Sequence, residues 1–137
     1  MTDDNPGCPR AMSLAVKRVY EPVAKTDGVR ILVDRLWPRG LSKREAHIDL
    51  WLRDLAPSTA LRKWFGHEPA KWKTFCARYR DELRTQSDWL ATVKRKARKG
   101  RVTLLYGARD ERFNQAVALK AILDRSHPSR GRRSAAA

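Results

Sequence analysis

Cysteine is nearly absent: Cys8 and Cys76 are the only two. They are too few and too far apart for a disulfide framework or a Cys-based zinc knuckle. Cys76, inside a helical pattern, reads as a small buried apolar residue. Histidine is almost as scarce. His47, His67 and His127 have no partner at i,i+4 and no adjacent cysteine, and the nearby Glu45, Asp49 and Glu68 complete no ligand set, so no metal and no other cofactor is expected. No apolar run approaches the roughly 18 residues that span a bilayer. The opening MTDDNPGCPR is acidic and broken by proline where a signal peptide would be basic and then apolar. A cytoplasmic protein without a membrane partner is the expectation. Glycine-rich phosphate loops are missing as well, and none of Ser42, Ser58 and Thr59 sits in a Gly-x-Ser-x-Gly elbow. P-loop, Rossmann-fingerprint and serine-hydrolase chemistry therefore lack support.

Acidic residues are also in short supply, 15 against 30 Lys and Arg, for a net charge of +15. Setting aside residues 1–11 and 127–137 removes Arg10, Arg130, Arg132 and Arg133 against Asp3 and Asp4, so all but two of those charges belong to the domain. Such a surface attracts polyanions and anionic metabolites without specifying a site. With 137 residues, 42% of them hydrophobic, the chain fits one domain with its own core.

Three parts are expected: a leader over residues 1–11, a domain over 12–126, and a mobile basic tail over 127–137, whose HPSRGRRSAAA has no apolar period. Inside the domain, residues 15–20 read as a strand and residues 29–33 as a second, an apolar run of the kind covered on both faces. Residues 48–52 are either a short strand or a helix. Ser58 reads as the N-cap of a helix ended by Gly66, and Pro69 as the first residue of the next. There Trp72, Phe75, Cys76, Tyr79 and Leu83 recur at three- and four-residue intervals, so they share one buried stripe. A helix around Leu90, Val93 and Ala97 ends at Gly100. The strand 102–106 follows, then a glycine-containing turn and a helix through Leu123. Strands separated by helices predict an α/β fold, a small single domain with a short, mainly parallel sheet flanked by helices.

In open α/β sheets ligands bind outside the carboxyl ends of the strands. Two segments fall there, DRLWPRGLSK (residues 34–43) and YGAR (residues 106–109). Arg35 and Arg39 each present a planar donor fork that matches carboxylate or phosphate oxygens, as a lysine does not. Lys43 and Arg109 add charge nearby. Asp34 can orient the arginines or act as a general base. It can equally be a plain ion-pair partner, with Trp37 in the core and Pro38 and Gly40 forming a turn. Tyr106 either stacks on a ligand or lies at the core edge, and Ser58 is better explained as a cap than as a nucleophile. His47 reads as a surface residue before a strand.

The densest basic run, Lys94, Arg95, Lys96, Arg98, Lys99 and Arg101, surrounds Val93 and Ala97 and so covers the solvent face of its helix. A solvated face is the ordinary reading. The alternative is sequence-independent binding of nucleic acid, in the absence of any motif for base readout.

DRLWPRGLSK, together with IDLWLRDLAPSTALRKWFGHEPAKWKTFCARYRDEL and VTLLYGARDERFNQAVALK, resembles the YeaO-like (DUF488) group of bacterial proteins over about residues 16–123. The resemblance implies a small intracellular α/β domain and supplies no reaction. The matching blocks nominate Asp34, Arg35, Trp37, Pro38, Arg39, Gly40, Lys43, Pro57, Ser58, Tyr106 and Asn114 for a shared pocket, with Asp34 and Asn114 as catalytic candidates and Arg109 beside them. Three positions depart from the family pattern: Ala60 for Glu, Glu68 for Asp, and Gln115 for His. A catalytic histidine at position 115 therefore cannot be carried over. The expectation that emerges is an arginine-rich pocket for an anionic small molecule or nucleotide, with or without catalysis.

Overall fold

The computed structural model describes residues 12–125, so the expected leader and the tail over 127–137 lie outside the described residues. Four strands form one all-parallel sheet: β1 (Ser13–Arg18), β2 (Val29–Leu32), β3 (Leu50–Trp51) and β4 (Arg101–Tyr106). Their order is β1-β4-β2-β3, so the last strand lies between the first two. The α/β class with a parallel sheet is as the helix-separated strands predicted. Segment 48–52 resolves as a strand, because Ile31 and Leu32 of β2 offer an edge that Leu50 and Trp51 pair. β1 starts earlier than its β-branched content suggested and ends at Arg18. Val19 still donates to the Tyr106 carbonyl at 2.8 Å.

The helices are α1 (Lys43–Ala46), α2 (Thr59–Phe65), α3 (Trp72–Leu83), α4 (Ser87–Lys99) and α5 (Gln115–Arg125). Side chains alternate across a strand, and here the alternation splits the core. Ile31, Val33, Val102, Leu104 and Tyr106 face the layer built by α2 to α5, where Phe75, Tyr79, Leu83, Val93, Ala97, Leu119 and Leu123 are buried. Leu32 and Leu105 face the other way with Val19, into a smaller cluster closed by Ala46, Trp37, Leu41, Ile48 and Trp51. The apolar run at 29–33 is thus covered on both sides. Trp37 meets Trp51 edge-on, with ring centroids 5.3 Å apart, and donates its indole N–H to the Leu41 carbonyl.

Helix ends follow the local chemistry. Ser58 caps α2 by accepting the Leu61 N–H, and Gly66 ends it at φ 53°, a left-handed conformation that a Cβ disfavours. Pro69 opens a 3-10 turn (Pro69–Lys71) that runs into α3 and is not the first residue of α3 itself. On α3, Phe75, Tyr79 and Leu83 are fully buried, while Trp72 and Cys76 lie half-buried at the margin of the stripe. Gly100 follows α4 in extended backbone.

At the amino ends of the strands a buried ion cluster ties the sheet to its loops. Arg30 reaches the Asp27 carboxylate at 2.5 Å and the carbonyls of Ala46 and His47 at 3.0 and 2.9 Å. Burial pushes the Asp27 carboxyl up, but the Ala24 N–H and the bonds from Lys17 and Arg30 more than offset it and hold it below its ordinary value. Among the described residues no helix is long and apolar enough to cross a membrane.

Candidate functional site

The other end of the sheet carries a concavity of about 230 Å³, lined by residues from four separate stretches of chain. Asp34 and Arg35 follow β2, Ala56 and Pro57 precede α2, Arg62 and His67 come from α2 and the turn after it, and Ala108 and Gln115 follow β4. This is the crevice outside the strand ends that a parallel sheet predisposes to ligands.

Asp34 is held from three directions. Its main-chain carbonyl accepts the Trp51 indole N–H at 2.7 Å, its Oδ2 accepts the Gly107 N–H at 2.8 Å, and its Oδ1 accepts from Gln115 Nε2. Gly107 permits that approach, since a Cβ at this position would stand 3.0 Å from Oδ2. Burial raises the Asp34 carboxyl to a pKa of about 6, although the Gly107 N–H, the charge of Arg62 and the Gln115 amide all pull the other way. The pocket floor is therefore a carboxyl group that gains and loses its proton near neutrality.

Two guanidiniums flank it. Arg35 donates from Nε to the Pro57 carbonyl and from Nη2 to the Ala56 carbonyl, both at 3.3 Å. Those bonds fix the plane of the fork, involve no carboxylate and do not use Nη1. Arg62 is exposed on α2 and completes the cationic wall. His67, at φ 58°, has Nδ1 2.7 Å from the Phe113 carbonyl. An oxygen acceptor at that distance makes Nδ1 the donor, so Nε2 is the acceptor of the neutral ring.

The chain delivers α2 to this place through one bracket. The Glu82 carboxylate of α3 accepts the Ser58 N–H at 2.7 Å and the Ser58 hydroxyl at 2.6 Å, while the buried Tyr79 hydroxyl donates to the Leu55 carbonyl. Ser58 is thus engaged as a cap and as a tether, outside the lining of the concavity.

Of the residues nominated from sequence, the fold brings Asp34, Arg35 and Pro57 together in the concavity. Arg39 is exposed and does not line the concavity; its carbonyl accepts the hydroxyl of Tyr20, just past the end of β1. Lys43 begins α1 and is exposed, and Arg109 is exposed beyond Ala108; neither lines the concavity. Trp37 belongs to the smaller core cluster, and Tyr106 is buried in the main core. Asn114 is fully buried. Its Oδ1 accepts the Val117 N–H and its Nδ2 donates to the Asp110 carbonyl, which makes it the cap of α5. His47 is exposed at the end of α1, as a surface histidine. Arg62, His67 and Gln115 were not nominated. In the sequence Gln115 stands out only as a departure from the family pattern, the one available sign of its position against Asp34. Among the described residues no group of three or more His, Cys, Asp or Glu side chains is placed to hold a metal ion.

Residues 13–136 match a family model described as "Inactive DUF488-N3 subclade". The chain is 42% identical over 108 residues to the uncharacterized protein YeaO of Escherichia coli K12, covering 79% of this chain and 94% of that protein. It is 36% identical over 115 residues to the uncharacterized proteins Mb3100c of Mycobacterium bovis and Rv3073c of Mycobacterium tuberculosis, covering 84% of this chain and 97% of each. No solved structure matches the chain significantly.

Proposed function

Because the chain belongs to the YeaO-like DUF488 family, we propose that it is a non-catalytic binding domain for a small anionic ligand, a phosphate-bearing metabolite or nucleotide, held at the strand ends by Arg35 and Arg62. The observation that carries this reading is the convergence of two guanidiniums, one imidazole and a carboxyl of pKa about 6 around one concavity of about 230 Å³. A guanidinium fork matches the oxygens of phosphate or carboxylate. A protonated Asp34 donates a further hydrogen bond to the same anion, whereas an ionised one repels it. Binding without turnover is favoured because the side chain bonded to Asp34 is Gln115, an amide that neither gives nor takes a proton, and because the matching family model carries the word "inactive".

Sodium sulfate is the first probe, since it stays a dianion across the titration of Asp34. At constant ionic strength it should raise the melting temperature, more at pH 5 than at pH 8, and Arg62→Glu should abolish the shift. No shift with sulfate, phosphate or adenosine monophosphate at any pH would remove the reading. A second reading, sequence-independent nucleic-acid binding, is favoured by the exposure of Arg95, Lys99 and Arg101 along and after α4, with Val93 and Ala97 turned inward. Its mark is affinity for random duplex that falls steeply with salt and is lost when Arg95 and Arg101 become Glu, while Arg62→Glu leaves it unchanged.

A further inference from the structure

Away from the cleft, α3 and α5 leave a trough between them that continues toward α4. Two adjoining hollows of about 440 and 330 Å³ share Arg80, Ile122 and Arg125. The floor of the larger is made by Cys76, Ala77, Ala118, Ala121 and Ile122, with Trp72 as an end wall. Leu83 and Leu90 extend the apolar surface into the smaller one. Small side chains keep the trough wide, and α3, at 12 residues, sets its length at about 18 Å.

The rim is of one sign. Lys73, Arg80, Arg84, Lys94 and Arg125 border the two hollows, and no aspartate or glutamate lines either. Arg84 has Asp81 at 3.5 Å, but the ion pairs among the described residues include none of Lys73, Arg80, Lys94 and Arg125. An apolar floor is wrong for nucleic acid, whose phosphates and hydrated grooves need donors at the floor as well as at the rim. A second copy of this chain would bring another +15 to a rim already positive. Residues 126–137 carry Arg130, Arg132 and Arg133 and no acid, and residues 1–11 have no helical apolar period.

From this juxtaposition of a three-turn apolar trough with a cationic rim of which only Arg84 is ion-paired among the described residues, we infer that the α3–α5 face docks an acidic amphipathic helix of a partner protein. Apolar residues at i, i+3, i+4 and i+7 seat on Cys76, Ala77 and Ala121, and flanking carboxylates meet the rim. Helix-in-groove recognition uses this division: anchors supply affinity and rim charges supply orientation and encounter rate. The inference is independent of the cleft reading, since the trough shares no lining residue with the concavity beside Asp34.

The test uses the full chain carrying Cys8→Ser, so that Cys76 is its one thiol. The probe is a fluorescein-labelled peptide of roughly 14 residues, about 21 Å as a helix, with leucine at the four spaced positions and glutamate around them. Anisotropy should show saturable binding, a scrambled peptide of identical composition should bind about tenfold more weakly or worse, and bound peptide should slow modification of Cys76 by a thiol reagent. Ala121→Glu, at an exposed floor position, should weaken binding by about tenfold, and Ala60→Glu on α2 should not. Equal binding of the scrambled peptide, an unchanged Cys76 rate under saturating peptide, or indifference to Ala121→Glu would each overturn the inference. So would protection of Cys76 by dodecanoate with none by the peptide.

Discussion

Asp34 shows how much chemistry one position can carry. Its carbonyl anchors Trp51, its carboxyl joins β4 to α5 through Gly107 and Gln115, and its burial lifts its pKa from 3.8 to about 6. A carboxyl raised on folding favours the fold while it is protonated. That contribution is complete below pH 3.8 and is lost as pH climbs to about 6, a change of roughly 3 kcal/mol at most. Asp34→Asn keeps the shape, stays neutral and can still bond Gly107 and a turned Gln115 amide. Urea unfolding should therefore find it about 1–2 kcal/mol more stable than the parent at pH 8, with the advantage gone at pH 4. The same variant should bind sulfate equally at pH 5 and pH 8. An unchanged pH dependence in the variant would assign the titration to another group.

Among the elements, α2 is the one whose position decides the cleft, because it carries Arg62 and leads to His67. Its amino end is fixed by Ser58 on one side and Glu82 on the other. Ser58→Ala removes the cap and strands one Glu82 oxygen, so a loss of about 1–2 kcal/mol is expected by thermal unfolding. Sulfate affinity should fall with it, since Arg62 loses its fixed approach. If stability falls while affinity holds, α2 is positioned from elsewhere. The sequence made such local features readable. The Ser58 cap, the Gly66 stop and the spacing of Phe75, Tyr79 and Leu83 depend on residues a few positions apart, and the structure has them where that spacing requires. Segment 48–52 stayed ambiguous because two paired residues are too short to show a period; the edge of β2 decides it. The cleft was half readable for a related reason. Strand ends pointed to Asp34 and Arg35, but Arg62, His67 and Gln115 arrive from α2, the turn after it and α5, and nothing local to them records where those elements dock. Arg39 reads like Arg35 in the same decapeptide, yet beyond the intervening turn it does not line the concavity.

For the molecule as a whole, all but two of the +15 net charges must be held on the one small body of residues 12–125. Self-repulsion opposes compactness and is screened within about 10 Å at 0.1 M salt. Raising sodium chloride from low to moderate concentration should lift the melting temperature measurably, whereas a flat response would mean that the charges are already spaced beyond mutual influence. This background is why the sulfate experiment requires matched ionic strength. Strand order has its own outcome for a chain made from one end to the other. With β4 wedged between β1 and β2, a nascent polypeptide that has reached Gly100 holds only the short β2–β3 ladder, and β1 has no neighbour to bond. Assembly of the sheet must wait for β4 to emerge, so until then the growing protein carries open strand edges, and truncation before residue 101 leaves only the β2–β3 ladder.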